Sequence, residues 1–125
     1  MGFCNNTGLA WLKLLKPGFR HCFAVVRISG QWLVYDPLSH HTRLDLAGSG
    51  DAVLDYLSER GCRLVPVRLN PPEPRPVPWR PFTCVEAVKR LIGLRAGWVL
   101  TPWQLYKYLY IWKTHCAKNI PTYRK

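Results

Sequence analysis

Apolar and polar residues alternate through much of the first half of the chain. Two runs rich in β-branched and aromatic residues, HCFAVVRI and QWLVYDP, flank the dipeptide Ser29-Gly30. Runs of this kind around a short glycine-containing turn predict a β-hairpin over residues 21–37. The segments at 42–46 and 62–69 have a similar composition and predict two further strands. The pattern therefore indicates a small antiparallel sheet.

After residue 81 the pattern changes to the period of a helix. Thr83 and Glu86 form a Thr-x-x-Glu capping box and predict a helix over residues 84–92. Lys89 and Arg90 are expected to lie off its apolar face. That face is formed by Val85, Val88, Leu91 and Ile92.

Three more helices are predicted. Thr101 and Gln104 form a second capping box at the start of a helix over 102–113. Asn6 or Thr7 would cap a short N-terminal helix, and the sequence GSGDAVLDYLSERG predicts a helix of about ten residues. With the strands, these helices predict an α+β fold in which the 84–92 and 102–113 helices pack on the sheet.

Length and composition predict one domain over residues 1–125. The chain is 48% hydrophobic, which is enough for one core and too little for two ordinary domains. Residues 70–81 contain six prolines and predict an extended connector, whereas 114–125 predict a loose basic tail. No apolar stretch approaches the roughly 20 residues of a membrane helix, and the N-terminus lacks the features of a signal peptide. We therefore expect synthesis in the cytoplasm.

The net charge of +11 is distributed unevenly. Residues 1–69 carry eight Lys and Arg against five Asp and Glu, whereas residues 70–125 carry ten against two. A basic half predicts an acidic partner, such as nucleic acid, an anionic cell-wall polymer, a membrane surface or an acidic protein. A solvated basic face is the plainer interpretation.

The cysteines are odd in number and unevenly spaced. They are Cys4, Cys22, Cys62, Cys84 and Cys116. This spacing argues against a disulfide framework, and the lack of a C-x-x-C pair argues against zinc, so we expect no metal and no cofactor. Cys84 differs from the others because it occupies the first helical position after Thr83, where free backbone N–H groups favour a thiolate. Its plainer interpretation is a small buried hydrophobe.

The hairpin predicts a partner for that thiolate. With a two-residue turn at 29–30, the numbers of facing residues sum to 59, so His21 and Asp36 become diagonal neighbours on one face of the sheet. Cys22 then points to the opposite face and is expected to belong to the core. If Cys84 also meets His21, the chain contains a nucleophile, a base and a residue that orients the base.

These residues resemble the papain-like superfamily. The order His21, Asp36 in WLVYDPL, then Cys84 in FTCVEAVKRLIGL is similar to its circularly permuted branch, which includes permuted NlpC-type peptidases and lecithin:retinol acyltransferase relatives. The resemblance covers residues 20–93. It implies a papain-like fold and a cysteine-dependent hydrolase, a peptidase or amidase, in which Cys84 is the nucleophile, His21 the base and Asp36 the orienting residue. An anionic polymer or a cell-wall peptide is the substrate that it and the charge suggest.

Two other functions are compatible with the sequence. The C-terminal pattern T-C-V…TP-x-Q-L resembles products of tailed-phage or prophage genomes, which implies a catalytically inactive structural or adaptor protein that contacts virion proteins. Basic residues near aromatic ones also suggest a nucleic-acid-binding module. The aromatic stripe itself is expected to be core. It consists of Trp103, Tyr106, Tyr110 and Trp112.

Three other residues compete for places in the site. Cys4 is an alternative nucleophile, since Cys4–His21–Asp36 is the order of unpermuted papain-like enzymes. His40 and His41 follow Asp36 in a predicted loop and are alternative members of the site, although exposed loop histidines are the plainer interpretation.

Overall fold

The computed structural model describes residues 1–5, 13–38, 40–70, 74, 76, 79 and 81–116, with side chains up to residue 111. Its elements are β1 (Gly2–Cys4), β2 (His21–Ile28), β3 (Gln31–Pro37), β4 (Thr42–Leu46), α1 (Ala52–Glu59), β5 (Arg63–Leu64), α2 (Cys84–Leu91) and α3 (Pro102–Cys116). The strands form an antiparallel sheet in the order β4-β3-β2-β1-β5. The predicted α+β class is therefore confirmed. None of the described helices is long and apolar enough to cross a membrane.

The central hairpin has the predicted turn and register. Ser29 and Gly30 have φ angles of 49° and 81°, which are the left-handed conformations that a tight type I′ turn requires at both central positions. The directly opposite pairs run from Ile28–Gln31 to Ala24–Tyr35. Continued to the end of the hairpin, this register places His21 and Asp36 on the same face.

Strand β1 was not predicted from the sequence. Strand Gly2–Cys4 lies between β2 and β5, and three residues are too few for an alternating pattern to be recognised. A Cβ atom at Gly2 would come within 2.2 Å of the Phe23 ring on the facing strand, so a larger residue there would force this ring to move. The predicted N-terminal helix lies largely outside the described residues, as do most of the connector and the end of the tail.

The last strand is shorter than expected. β5 spans Arg63–Leu64 rather than residues 62–69, although it lies at the sheet edge as Pro66 suggested. The backbone N–H of Val65 still donates to Met1, but Pro66 has no N–H with which to continue a ladder.

The main core forms where α2 and α3 cover one face of the sheet. Its buried members are Phe3, Phe19, Cys22, Val65, Val85, Val88, Ile92, Ala96, Val99, Leu105 and Leu109. Trp103 and Tyr106 pack against this core, whereas Tyr110 is exposed. The prediction that the aromatic stripe belongs to the core is therefore correct for Trp103 and Tyr106 and wrong for Tyr110. The side chain of Trp112 lies outside the described part of the chain.

The predicted capping box is complete at α3, whereas at α2 the Thr83 half is formed and the Glu86 carboxylate instead pairs with Lys89 and Arg90. The Thr83 hydroxyl accepts a hydrogen bond from the backbone N–H of Glu86 at 3.2 Å, which fixes Cys84 as the first residue of α2. At α3, the Gln104 side chain accepts from the N–H of Thr101 at 3.0 Å, and the N–H of Gln104 donates to the Thr101 hydroxyl at 3.2 Å. These caps determine where each helix begins.

Lys89 corrects the predicted division of α2 into apolar and polar faces. The side chain is buried, and its Nζ donates to the carbonyls of Ala96 and Val99 at 3.0 and 2.9 Å and pairs with Glu86 at 3.0 Å. A long lysine can place its methylene groups in the core when its ammonium is fully hydrogen-bonded. Lys89 therefore fixes the 94–99 loop to α2.

We expect Lys89→Met to lower the free energy of unfolding by about 3 kcal/mol, because it leaves two carbonyls and the Glu86 carboxylate without their buried cation. Urea unfolding followed by tryptophan fluorescence measures this loss. Arg90→Met is the matched control, since Arg90 pairs with the same carboxylate from a more exposed position, and it should cost less than about 1 kcal/mol. Equal losses in the two variants would contradict the role assigned to Lys89.

Candidate active site

The N-terminus of α2 lies beside the first residue of β2. His21 Nε2 is 2.5 Å from Asp36 Oδ1 across the β2–β3 hairpin. The thiol of Cys84 is hydrogen-bonded to the His21 side chain. The structure thus brings together the three residues that the sequence singled out, in the order Asp36, His21, Cys84.

Local structure accounts for each position. The two-residue turn sets the register that makes His21 and Asp36 diagonal neighbours. The Thr83 cap makes Cys84 the first residue of α2. His21 is buried, with 8% of its surface exposed, whereas Cys84 is partly exposed. Cys84 is therefore the more accessible residue of the two, and His21 is largely shielded from water.

The surroundings of Cys84 stabilise a thiolate. Hydrogen bonding from the Cys22 thiol lowers the pKa of Cys84, burial opposes this, and the hydrogen bond and charge of His21 lower the pKa further, to about 5. The backbone N–H of Cys22 also donates to the Cys84 sulfur. The thiol and the backbone N–H of Cys22 thus act together with the His21 imidazole to stabilise the Cys84 thiolate.

His21 has the complementary shift. Burial alone would lower its pKa, but the hydrogen bonds to Asp36 and Cys84, together with the two negative charges, outweigh burial and raise the pKa to about 9. Between the two values, Cys84 is a thiolate and His21 is an imidazolium. A preformed ion pair of this kind is the reactive state of many nucleophilic cysteines.

The sequence did not indicate that Cys22 contributes to the site. It is fully buried in the core, as expected from its position on the face opposite His21. That face is the one α2 covers, so the Cys22 thiol reaches the helix start and hydrogen-bonds to Cys84. Burial and the neighbouring Cys84 raise the pKa of Cys22 well above its usual value, so this thiol stays protonated and acts as a donor.

The other candidates are not in this line of hydrogen bonds. Cys4 lies beside it, at the end of β1 and directly opposite His21, and its thiol interacts with that of Cys62. His40 and His41 are exposed and contact each other, with ring centroids 4.3 Å apart. Among the described residues, no three His, Cys, Asp or Glu side chains are arranged to hold a metal ion.

Comparisons with protein families, curated proteins and solved structures give no match to this chain. The resemblance to permuted papain-like proteins therefore rests on the residues quoted above, and the catalytic roles of these residues are proposals.

The ion pair predicts an unusual pH profile for alkylation. The thiolate fraction rises with pH through the thiol pKa, so we expect iodoacetamide to modify Cys84 with a midpoint near pH 5 rather than near 9. Cys62, whose pKa is raised mainly by burial, should react only at higher pH and serves as the control within the same sample. Mass spectrometry of digested protein measures both rates. A Cys84 profile that coincides with that of Cys62 would contradict the ion pair, and His21→Ala should move the Cys84 midpoint upward.

A second prediction isolates the contribution of Cys22. We expect Cys22→Ala to raise the alkylation midpoint of Cys84, because the donated S–H is lost while the backbone N–H remains. Cys22→Ser retains a donor and should remain closer to wild type. Cys62→Ala removes a thiol that is not hydrogen-bonded to Cys84 and should leave the midpoint unchanged. Identical midpoints in the Cys22 variants and wild type would exclude this role.

Proposed function

We propose that the protein is a cysteine-dependent hydrolase, a peptidase or amidase, in which Cys84 is the nucleophile, His21 the acid and base, and Asp36 the residue that orients His21. The observation that carries this proposal is the hydrogen-bonded line from Asp36 through His21 to a thiol at a helix N-terminus. A core cysteine would need neither an imidazole nor a carboxylate behind it. A permuted papain-like fold is part of the proposal.

The chemistry has two stages. The Cys84 thiolate attacks a substrate carbonyl carbon, and the His21 imidazolium gives its proton to the departing amine, which leaves a thioester and a neutral imidazole. His21 then takes a proton from water, which attacks the thioester, and the acid leaves as the thiolate and imidazolium are restored. Asp36 holds the ring in place and stabilises its charged form. The backbone N–H of Cys84 is a candidate donor to the oxyanion, because it lies in the first turn of the helix.

An anionic substrate suits the surroundings of the site. Residues 1–35 and 87–125 contain no Asp or Glu. These segments supply β1, β2, α3 and most of α2, so basic residues outnumber acidic ones in the elements that build the site, although Glu86 in α2 pairs with Lys89 and Arg90. Such a surface attracts anionic polymers and raises the rate at which they meet the site. A cell-wall peptide attached to an anionic polymer is the substrate class that we favour.

The proposal predicts turnover of activated acyl compounds. We expect 4-nitrophenyl esters and peptide 4-nitroanilides to be hydrolysed through an acyl group on Cys84, with no turnover in Cys84→Ala. His21→Ala should lower the rate on the order of 10²–10⁴-fold, because both proton transfers are lost. Asp36→Asn should also lower the rate and should move the descending limb of the pH profile to lower pH, since the carboxylate no longer supports the imidazolium.

The matched control is Asp45→Asn, which removes a carboxylate that pairs with Arg43 on the neighbouring strand. It should retain the wild-type rate and pH profile. Stoichiometric acylation of Cys84 without later turnover would contradict the hydrolase. Undiminished turnover in Cys84→Ala would assign the activity to another group.

A second candidate function has one specific observation in its favour. Leu44 and Leu46, on edge strand β4, are 60% and 74% exposed. Apolar side chains at an open sheet edge favour a protein partner. In this alternative the chain is a catalytically inactive adaptor, such as a component of a phage virion or tail. It predicts that Cys84→Ala leaves assembly unchanged and that wild type does not turn over any acyl substrate.

A further inference from the structure

The register between β1 and β5 pairs two cysteines beside the candidate active site, neither of which is assigned a catalytic role. Gly2 faces Leu64 and Phe3 faces Arg63, so the numbers of facing residues sum to 66. One position further, the partners are Cys4 and Cys62. Neither residue is in a disulfide in this structure, and both are partly exposed.

The hydrogen bonds of this ladder define the kind of pair. Met1 and Val65 exchange both backbone hydrogen bonds, at 2.8 and 2.7 Å, and therefore form a hydrogen-bonded pair. Hydrogen-bonded and non-hydrogen-bonded pairs alternate along an antiparallel ladder. Counting from Met1–Val65, Cys4–Cys62 is a non-hydrogen-bonded pair, the type in which Cα atoms lie about 4.5 Å apart and side chains approach most closely. A disulfide needs about 4.4–6.8 Å between Cα atoms.

The two side chains project from the same face of the sheet, because directly opposite residues of an antiparallel pair do so. Hydrogen bonding from Cys4 partly offsets the rise that burial causes in the pKa of Cys62, which agrees with the facing relation that the register gives. Cys62 is also held from its other side, because its backbone N–H donates to the carbonyl of Leu57 in α1 at 3.0 Å. The two sulfurs are therefore positioned for bond formation by the sheet and by the end of α1.

We propose that Cys4 and Cys62 form a disulfide by exchange with a small-molecule disulfide such as oxidised glutathione. The thiolate of one cysteine attacks a glutathione sulfur, which yields a mixed disulfide and one reduced glutathione. The thiolate of the other cysteine then displaces the second glutathione. The two thiol protons of the protein end on the two glutathione thiols, and two electrons pass from the protein to oxidised glutathione.

This bond would tie the edge strand β5 to β1 and close a loop that contains the whole β2–β3 hairpin. It restricts the unfolded chain and so stabilises the folded protein. The inference is independent of the proposed hydrolase, because neither sulfur is assigned a part in the acyl chemistry. It adds a covalent modification site that responds to the ratio of oxidised to reduced thiols.

The test uses the full chain, reduced and then equilibrated with oxidised glutathione at mildly alkaline pH. Free thiols are blocked with N-ethylmaleimide, and the protein is digested with trypsin without reduction. Trypsin cleaves after Lys13 and on both sides of residues 61–63, so the expected product is residues 1–13 linked to 61–63 with the loss of two hydrogens. The alkylated forms of Cys4 and Cys62 should be lost together, and dithiothreitol should restore both.

Controls distinguish this pair from the active-site thiols. Cys84→Ala and Cys116→Ser should retain the crosslink, whereas Cys62→Ser should abolish it. The oxidised wild type should melt at a higher temperature than the reduced protein, and Cys62→Ser should lack this difference. Glutathione adducts on Cys4 and Cys62 without the crosslinked peptide would overturn the proposal. A Cys22–Cys84 crosslink formed in its place would overturn it as well.

Discussion

The register of the β2–β3 hairpin is the constraint on which the site depends. Side chains alternate along a strand, so a slip of one residue would place His21 and Asp36 on opposite faces of the sheet. The register is fixed by two left-handed residues, Ser29 and Gly30, whose twist matches that of the flanking strands. The two-residue turn thus determines whether the Asp36 carboxylate meets the His21 imidazole, although both residues lie at the opposite end of the hairpin.

The second requirement is that the start of α2 reaches this end of the sheet. The Thr83 cap decides which residue begins the helix, and the apolar residues of α2 bury against the face that bears Cys22. Because adjacent residues of a strand point to opposite faces, Cys84 meets the thiol and backbone N–H of one residue and the imidazole of its neighbour. An ion pair can persist in a partly buried place of this kind because each charged group is hydrogen-bonded.

Cysteine has three different roles in this small protein, and the surroundings determine which. Cys84 is ionised beside His21, Cys22 is kept neutral by burial and donates a hydrogen bond, and Cys4 faces Cys62 at the edge of the sheet. Uneven spacing along the chain, which argued against a disulfide framework, carried no information about the last pair. That pairing depends on β1, a strand of three residues that no alternating pattern reveals.

The sequence by itself determined the elements whose signals are local. The turn chemistry at 29–30 defines the hairpin and the His21–Asp36 relation, and the side chain of Thr83 places Cys84 at a helix start, because both effects act within a few residues. Only the tertiary structure decided that this helix start reaches His21 and that Lys89 is buried. These outcomes depend on how the apolar faces of distant segments pack, and burial favours an arrangement in which enclosed polar groups such as the Lys89 ammonium are hydrogen-bonded.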